Sequence, residues 1–131
     1  MVSLILPWPP SINRYWRRNG GRYFISAEGQ SFRQHVGILC IQSPHRFHST
    51  DRLAIHINAY PPDKRRRDID NVLKALLDAL QHAGIYEDDN QIDEIYILRK
   101  KSYLGEVSIQ LSKMESHHQE SLPQLAHKIV A

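Results

Sequence analysis

The residues between Lys64 and Asp93 have the types and spacing to act on a phosphodiester. Lys64-Arg65-Arg66-Arg67 runs directly into Asp68-Ile69-Asp70-Asn71, Lys74 follows one helical turn after Asp70, and a second acidic cluster, Glu87-Asp88-Asp89, comes further along. Cations suit the phosphates of a nucleic acid. Clustered carboxylates are hard oxygen ligands that suit Mg²⁺. Together they point to metal-assisted cutting of a nucleic-acid backbone. The metal, held by Asp68, Asp70 and Asp89, is expected to polarise the scissile phosphate and activate a water. Lys74 would stabilise negative charge developing on the phosphate or the leaving oxygen. Lys64, Arg65, Arg66 and Arg67 would neutralise flanking phosphates and hold the strand in register.

Each element of this set also has a plainer reading. One aspartate of Asp68-x-Asp70 can simply cap the helix that follows. Lys74 can form an ordinary surface ion pair with Asp70 or Asp78. Reach decides whether Asp89 can join the others. A helix over residues 70–83 spans about 20 Å, and residues 84–89, if extended, span about the same. The chain can therefore just return Asp89 to Asp68 and Asp70; if it falls short, the three must meet across a dimer interface. Three carboxylates together repel one another unless a cation sits among them.

The elements that must position these residues are legible from periodicity. Leu53, Ile55, Ile57 and Ala59 alternate with Arg52, His56, Asn58 and Tyr60, which predicts a half-buried strand ended by Pro61-Pro62. The basic-acidic motif thus leaves a strand and enters a helix. Val72, Leu73, Leu76, Leu77 and Leu80 form that helix's apolar stripe, and Gly84 stops it. Upstream, Val2–Leu6 predicts a strand. Asn19-Gly20 between aromatic-rich arms predicts a hairpin. Its neighbourhood carries Arg14, Arg17, Arg18 and Arg22 among Tyr15, Trp16, Tyr23 and Phe24. Such a surface can grip phosphates and stack on unpaired bases, or its aromatics can pack on the core while its arginines face water. Ser26 caps a helix carrying Phe32, Val36, Leu39 and Cys40. Strands over residues 93–101 and 106–111 follow. Residues beyond 112 turn polar, with a short helix possible after Pro123.

Composition agrees with one soluble domain. The chain has 131 residues, 41% hydrophobic and 24% charged, with a formal net charge of +3. Residues 1–67 carry 11 Lys or Arg against 3 Asp or Glu, whereas residues 68–131 carry 6 against 11. A basic first half fits a nucleic-acid footprint or a solvated basic surface. The lone Cys40 excludes a disulfide framework, and neither His45/His48 nor His117/His118 has convergent partners for a zinc site. The apolar run at the start is too short for a signal peptide or a membrane span, which predicts a reduced, cytoplasmic protein without a membrane partner.

Three blocks in order resemble the RusA family of Holliday-junction resolvases. They are Leu6-Pro7-Trp8-Pro9-Pro10-Ser11-Ile12-Asn13-Arg14-Tyr15; Arg65-Arg66-Arg67-Asp68-Ile69-Asp70-Asn71 with Lys74, Asp78-Ala79-Leu80 and Ala83-Gly84; and Asp88-Asp89-Asn90-Gln91-Ile92. Ser26-Ala27-Glu28-Gly29-Gln30 also resembles the family's helix start. The resemblance covers residues 4–111. It implies an α+β fold, a small mixed sheet with two main helices, over residues 1–112; residues 113–131 depart from it as a tail longer than the family core needs. It also implies a homodimer that binds four-way junction DNA and nicks two strands symmetrically with Mg²⁺, in recombination and repair. The family's catalytic aspartates fall on Asp68, Asp70 and Asp89, and its lysine on Lys74. Arg14, Arg17, Arg18 and Lys64–Arg67 are the expected DNA contacts. Rival readings are a less selective nuclease of branched DNA and a catalytically silent junction binder.

Overall fold

The computed structural model describes residues 1–114. Its order of elements is β1 (Val2–Pro7), α1 (Ile12–Tyr15), β2 (Trp16–Asn19), β3 (Arg22–Ile25), α2 (Ala27–Ile41), β4 (Leu53–Tyr60), α3 (Leu73–His82), β5 (Ile92–Arg99) and β6 (Glu106–Lys113). The expected short helix after Pro123 lies outside the described residues.

The main sheet has the order β1-β6-β4-β5, and β2 and β3 form a separate hairpin. β6 runs antiparallel to both β1 and β4, whereas β4 and β5 are parallel. The register lines up apolar rows across the strands: Val2, Leu111, Ile55 and Ile95 in one, and Leu4, Ile109, Ile57 and Ile97 in the next. Because side chains alternate along a strand, these rows share one face. Leu53, Ile55, Val107, Ile109 and Leu111 are fully buried there, under Val36 and Cys40 of α2 and Ala75, Leu76, Ala79 and Leu80 of α3. The opposite face carries Ser3, His56, Ser108 and Gln110. The fold is thus the expected mixed sheet with two main helices.

Local chemistry sets the element ends. Ser26 Oγ accepts the Gly29 N–H at 2.9 Å, which starts α2. Gly29 lies so close to α1 that an added Cβ would sit 2.7 Å from the Tyr15 carbonyl oxygen. The hairpin turns through Gly20 (φ 58°) and Gly21 (φ 81°), with Asn19 paired to Arg22. Positive φ at both central residues is what a type I′ hairpin turn requires, so the turn is Gly-Gly, one position on from the expected Asn-Gly. Fully buried Tyr15 and the Arg33 guanidinium both meet the Asp78 carboxylate, the latter at 2.8 Å, tying α1, α2 and α3 together. Burial and the Asp78 carboxylate push the Tyr15 hydroxyl well above the usual tyrosine range.

β4, α3 and β5 form a strand–helix–strand crossover between parallel neighbours. The segment entering α3 therefore leaves from the C-terminal end of β4, while the segment leaving α3 enters the N-terminal end of β5. These lie at opposite ends of the sheet.

Candidate functional site

Residues 61–68 leave β4 as a loop, and Ile69–Val72 form a single 3₁₀ turn before α3 begins at Leu73. The expected single helix from Asp70 is thus a tighter turn followed by the α-helix. Asp68 holds the N-cap position in extended backbone, yet its side chain makes no capping hydrogen bond. The turn is closed instead by the backbone, with the Asn71 N–H donating to the Asp68 carbonyl at 3.1 Å. Asp68 and Asp70 are exposed and form no ion pair among the described residues. Lys74, second in α3, is exposed too. Asp78 is taken by Arg33 and Tyr15, so the alternative pairing of Lys74 with Asp78 does not form.

The cations beside this turn divide into two kinds. Arg67 is partly sheltered: it pairs with Asp63 at 2.8 Å, and its guanidinium lies 5.9 Å from the centre of the Trp8 ring. That pairing, with the Arg65 N–H, pulls the Asp63 carboxyl down to about 2. Lys64 and Arg66 are exposed, and neither has an ion-pair partner among the described residues. Arg14, at the end of α1, joins Arg65, Arg66, Arg67 and Asp68 around a cleft of about 490 Å³. Arg17 and Arg18 stand apart on the hairpin.

Three cations escaped the sequence reading. The row that carries Leu6, Val107 and Ala59 ends on β5 at Arg99, and a guanidinium nitrogen of Arg99 donates to the Arg67 carbonyl at 2.5 Å. Arg99, Lys100 and Lys101 therefore line one recess with Lys64–Asp68. Their signal was a run of three cations at a strand's C-terminal end. Only the parallel pairing of β4 with β5 brings that end to the motif.

Asp89 is placed elsewhere. Its N–H donates to Gln81 Oε1 at 2.9 Å, beside the C-terminal end of α3. Gln91, fully buried, fixes the same loop: its carbonyl accepts the Glu87 and Asp88 N–H groups at 3.0 Å each. Its amide donates to the His48 and Asp51 carbonyls at 2.6 and 3.0 Å. Asp88 supplies the local cap, accepting from the Asn90 N–H at 2.9 Å, which leaves the Asp89 carboxylate outside the capping box. Nearby, burial and the Asp89, Asp78 and Asp88 carboxylates hold the Tyr86 hydroxyl far above its ordinary range.

Asp68 and Asp70 thus stand at one end of α3 and Asp89 at the other, some 15 Å along the axis for ten helical residues. No group of three His, Cys, Asp or Glu side chains among the described residues is placed to hold a metal ion. Of the two arrangements left open by the sequence, a return within one chain is not the one found among the described residues, where Asp89 stays at the far end of α3. The chain length would have allowed it, but β5 must start at the far end of the sheet to run parallel to β4.

A profile of the family described as Endodeoxyribonuclease RusA matches residues 7–112. The chain belongs to the RusA family. A relative from Enterobacteria phage HK97, called crossover junction endodeoxyribonuclease, is 46% identical over 115 residues, covering 87% of this chain and 96% of the relative. One of that name from Escherichia coli strain K12 is 42% identical over 97 residues, covering 74% and 81%. Another, from Enterobacteria phage 82, is 44% identical over 96 residues, covering 73% and 80%. The matched span takes in both the Asp68–Lys74 segment and the Asp88–Gln91 loop.

Proposed function

We propose that this chain is a Mg²⁺-dependent endodeoxyribonuclease that resolves four-way DNA junctions by paired symmetric nicks, as a homodimer acting in the cytoplasm. The observation that carries this reading is the RusA family match together with two exposed, uncapped carboxylates, Asp68 and Asp70, beside an arginine-lined cleft. No helix among the described residues is long and apolar enough to cross a membrane.

The donor set suits the metal. Asp68 and Asp70 offer hard oxygen atoms that no described cation or backbone cap occupies, and Asp89 is likewise outside its own cap. When bound, Mg²⁺ supplies Lewis acidity and a water of lowered pKa. The chain's own residues do the rest. Lys64 and Arg66 meet the phosphates on either side of the cut, and Arg14 meets the strand across the cleft. Arg67, braced by Asp63 and Trp8, gives the basic wall a fixed shape. Lys74 points a single positive charge at the reacting phosphate.

A homodimer supplies the missing proximity. β5 is an edge strand of the sheet, yet it exposes Ile95 (43%), Tyr96 (55%) and Leu98 (59%). An edge with apolar side chains that no described strand pairs with is a template for a further strand. If β5 pairs antiparallel with the same strand of a second copy about a two-fold axis, each β5 begins where its mate ends. The partner's Asp89 then lies at the end of the sheet that holds Arg99, Asp68 and Asp70. Two such composite sites, related by the two-fold, match the two symmetric cuts of a junction.

The test is cleavage of a synthetic four-way junction, a Y-shaped substrate and a linear duplex in Mg²⁺. Paired nicks confined to the junction are expected, and Asp70→Asn should abolish them while retaining binding. Cutting of all three substrates would favour a less selective branched-DNA nuclease. Binding without cutting would favour a silent junction binder.

A further inference from the structure

The β2–β3 hairpin is attached to the fold along only one side. Among the described residues it pairs with no strand of the main sheet. Trp16 and Ile25, directly opposed at its base, pack against the core, and Arg33 lies 5.9 Å over the Trp16 ring. Tyr15 turns wholly into the interior. The aromatic-arginine surface expected from the sequence is therefore split, with Tyr15 and Trp16 anchoring the hairpin while Tyr23 and Phe24 face outward at 70% and 48% exposure.

Between α1 and this hairpin lies a recess of about 470 Å³ lined by Ile12, Asn13, Trp16, Arg17, Arg18 and Tyr23. We infer that this recess is a subsite for one unpaired nucleotide at the branch point of the DNA, a proposal that rests on the nuclease reading above. Its walls have the chemistry of a nucleotide and not of a purely apolar ligand. Trp16 and Tyr23 offer ring surfaces for a base. The Asn13 amide offers a donor and an acceptor to a base edge. Arg18 makes no ion pair among the described residues and is available to a phosphate.

Tyr23 is held in place for this role. The register sets it directly across from Arg18, whose guanidinium lies 5.7 Å from the ring centre, so the two present one surface on the recess side. Phe24, one residue on from Tyr23, turns to the other face of the hairpin and does not line the recess. A base within a duplex has both faces covered by its neighbours and cannot enter such a recess. A base that has left the stack can, and stacking on an aromatic ring is sequence-tolerant because every base has a π-face. Position supports the same reading. α1 lends Ile12 and Asn13 to the recess and Arg14 to the cleft beside Asp68, so a strand crossing α1 meets both. The hairpin thereby selects branched over linear DNA, while the basic wall binds either.

The experiment measures dissociation constants for a four-way junction and a linear duplex of equal length, in Mg²⁺, with Asp70→Asn as the non-cleaving parent. Tyr23→Leu on that background is expected to weaken junction binding about ten- to a hundredfold and to leave duplex binding within about twofold, the effect of losing one stacked base. Phe24→Leu, on the other face, should leave the ratio unchanged. The proposal is overturned if Tyr23→Leu weakens both substrates equally, if it changes neither, or if Phe24→Leu matches it. A parent that shows no preference for the junction would overturn the junction-selective reading as well. A parent that prefers the junction, with the preference kept in Tyr23→Leu, would overturn this inference alone.

Discussion

Replacing Lys74 by alanine should remove chemistry and leave the protein standing. Lys74 is exposed in the first turn of α3, and Asp78, one turn on, is already bound by Arg33 at 2.8 Å and by Tyr15. The substitution breaks no described hydrogen bond or ion pair, and alanine is at least as good a helix former. Its cost in stability should stay within about 0.5 kcal/mol, as for a surface position that touches nothing special. Its cost in catalysis should be far larger. A positioned donor that meets charge developing in the transition state is worth about 3–4 kcal/mol. At 1.36 kcal/mol per factor of ten, that is about a hundred- to a thousandfold in rate. Single-turnover cleavage of a junction at saturating enzyme isolates the chemical step, with junction affinity and urea unfolding measured on the same variant. A rate within about threefold of the parent would refute the argument, as would a loss of binding or folding that accounts for the loss of rate.

Arg65→Ala with Arg66→Ala should weaken binding alike at all sequences and flatten the log–log salt dependence by about 0.9 for each phosphate no longer neutralised; an unchanged slope would place these arginines away from the backbone. The Asp63 carboxyl should titrate at about 2, held there first by the Arg67 side chain. Because its folded value lies below the unfolded one, its stabilising contribution is present above the ordinary aspartate range and fades as pH falls through about 2. Carboxyl NMR on Arg67→Ala should show that titration moving up toward the ordinary range, and no movement would remove Arg67 as the cause. Gln91→Leu strips partners from two N–H groups and two carbonyls around a buried side chain. It should cost at least about 3 kcal/mol in urea unfolding, and a loss below about 1 kcal/mol would mean that the loop does not depend on it.

The elements of this fold were legible wherever burial follows a local period. Leu53 to Ala59 alternate because one face of β4 is covered, and Leu76 and Leu80 recur because one stripe of α3 is covered. Ser26 was readable as a cap because a hydroxyl before a helical stripe has one obvious use. The Asp68–Lys74 segment was legible as a unit because strand, turn and helix are contiguous in the chain. What was not legible was set by partners distant in sequence. Nothing within residues 92–99 states that β5 pairs parallel to β4, yet that pairing sends Asp89 to the far end of the sheet and brings Arg99 to Arg67. Tyr15 sits among arginines in the sequence but belongs to the interior, because Asp78 and Arg33, far along the chain, converge on its hydroxyl. The four-residue α1 is too short to show a period.

The most direct test is a heterodimer carrying Asp70→Asn in one subunit and Asp89→Asn in the other, isolated with two different tags. Each homodimer of a single variant should be inactive. If Asp68 and Asp70 of one subunit work with the partner's Asp89, the heterodimer places both substitutions in one site and leaves the other intact. It should then nick one strand per junction in Mg²⁺, at about half the parent's rate, because half of the two-fold-related sites survive. A heterodimer as inactive as either homodimer would contradict the composite site. Activity in either homodimer would contradict the catalytic role of the aspartate it lacks.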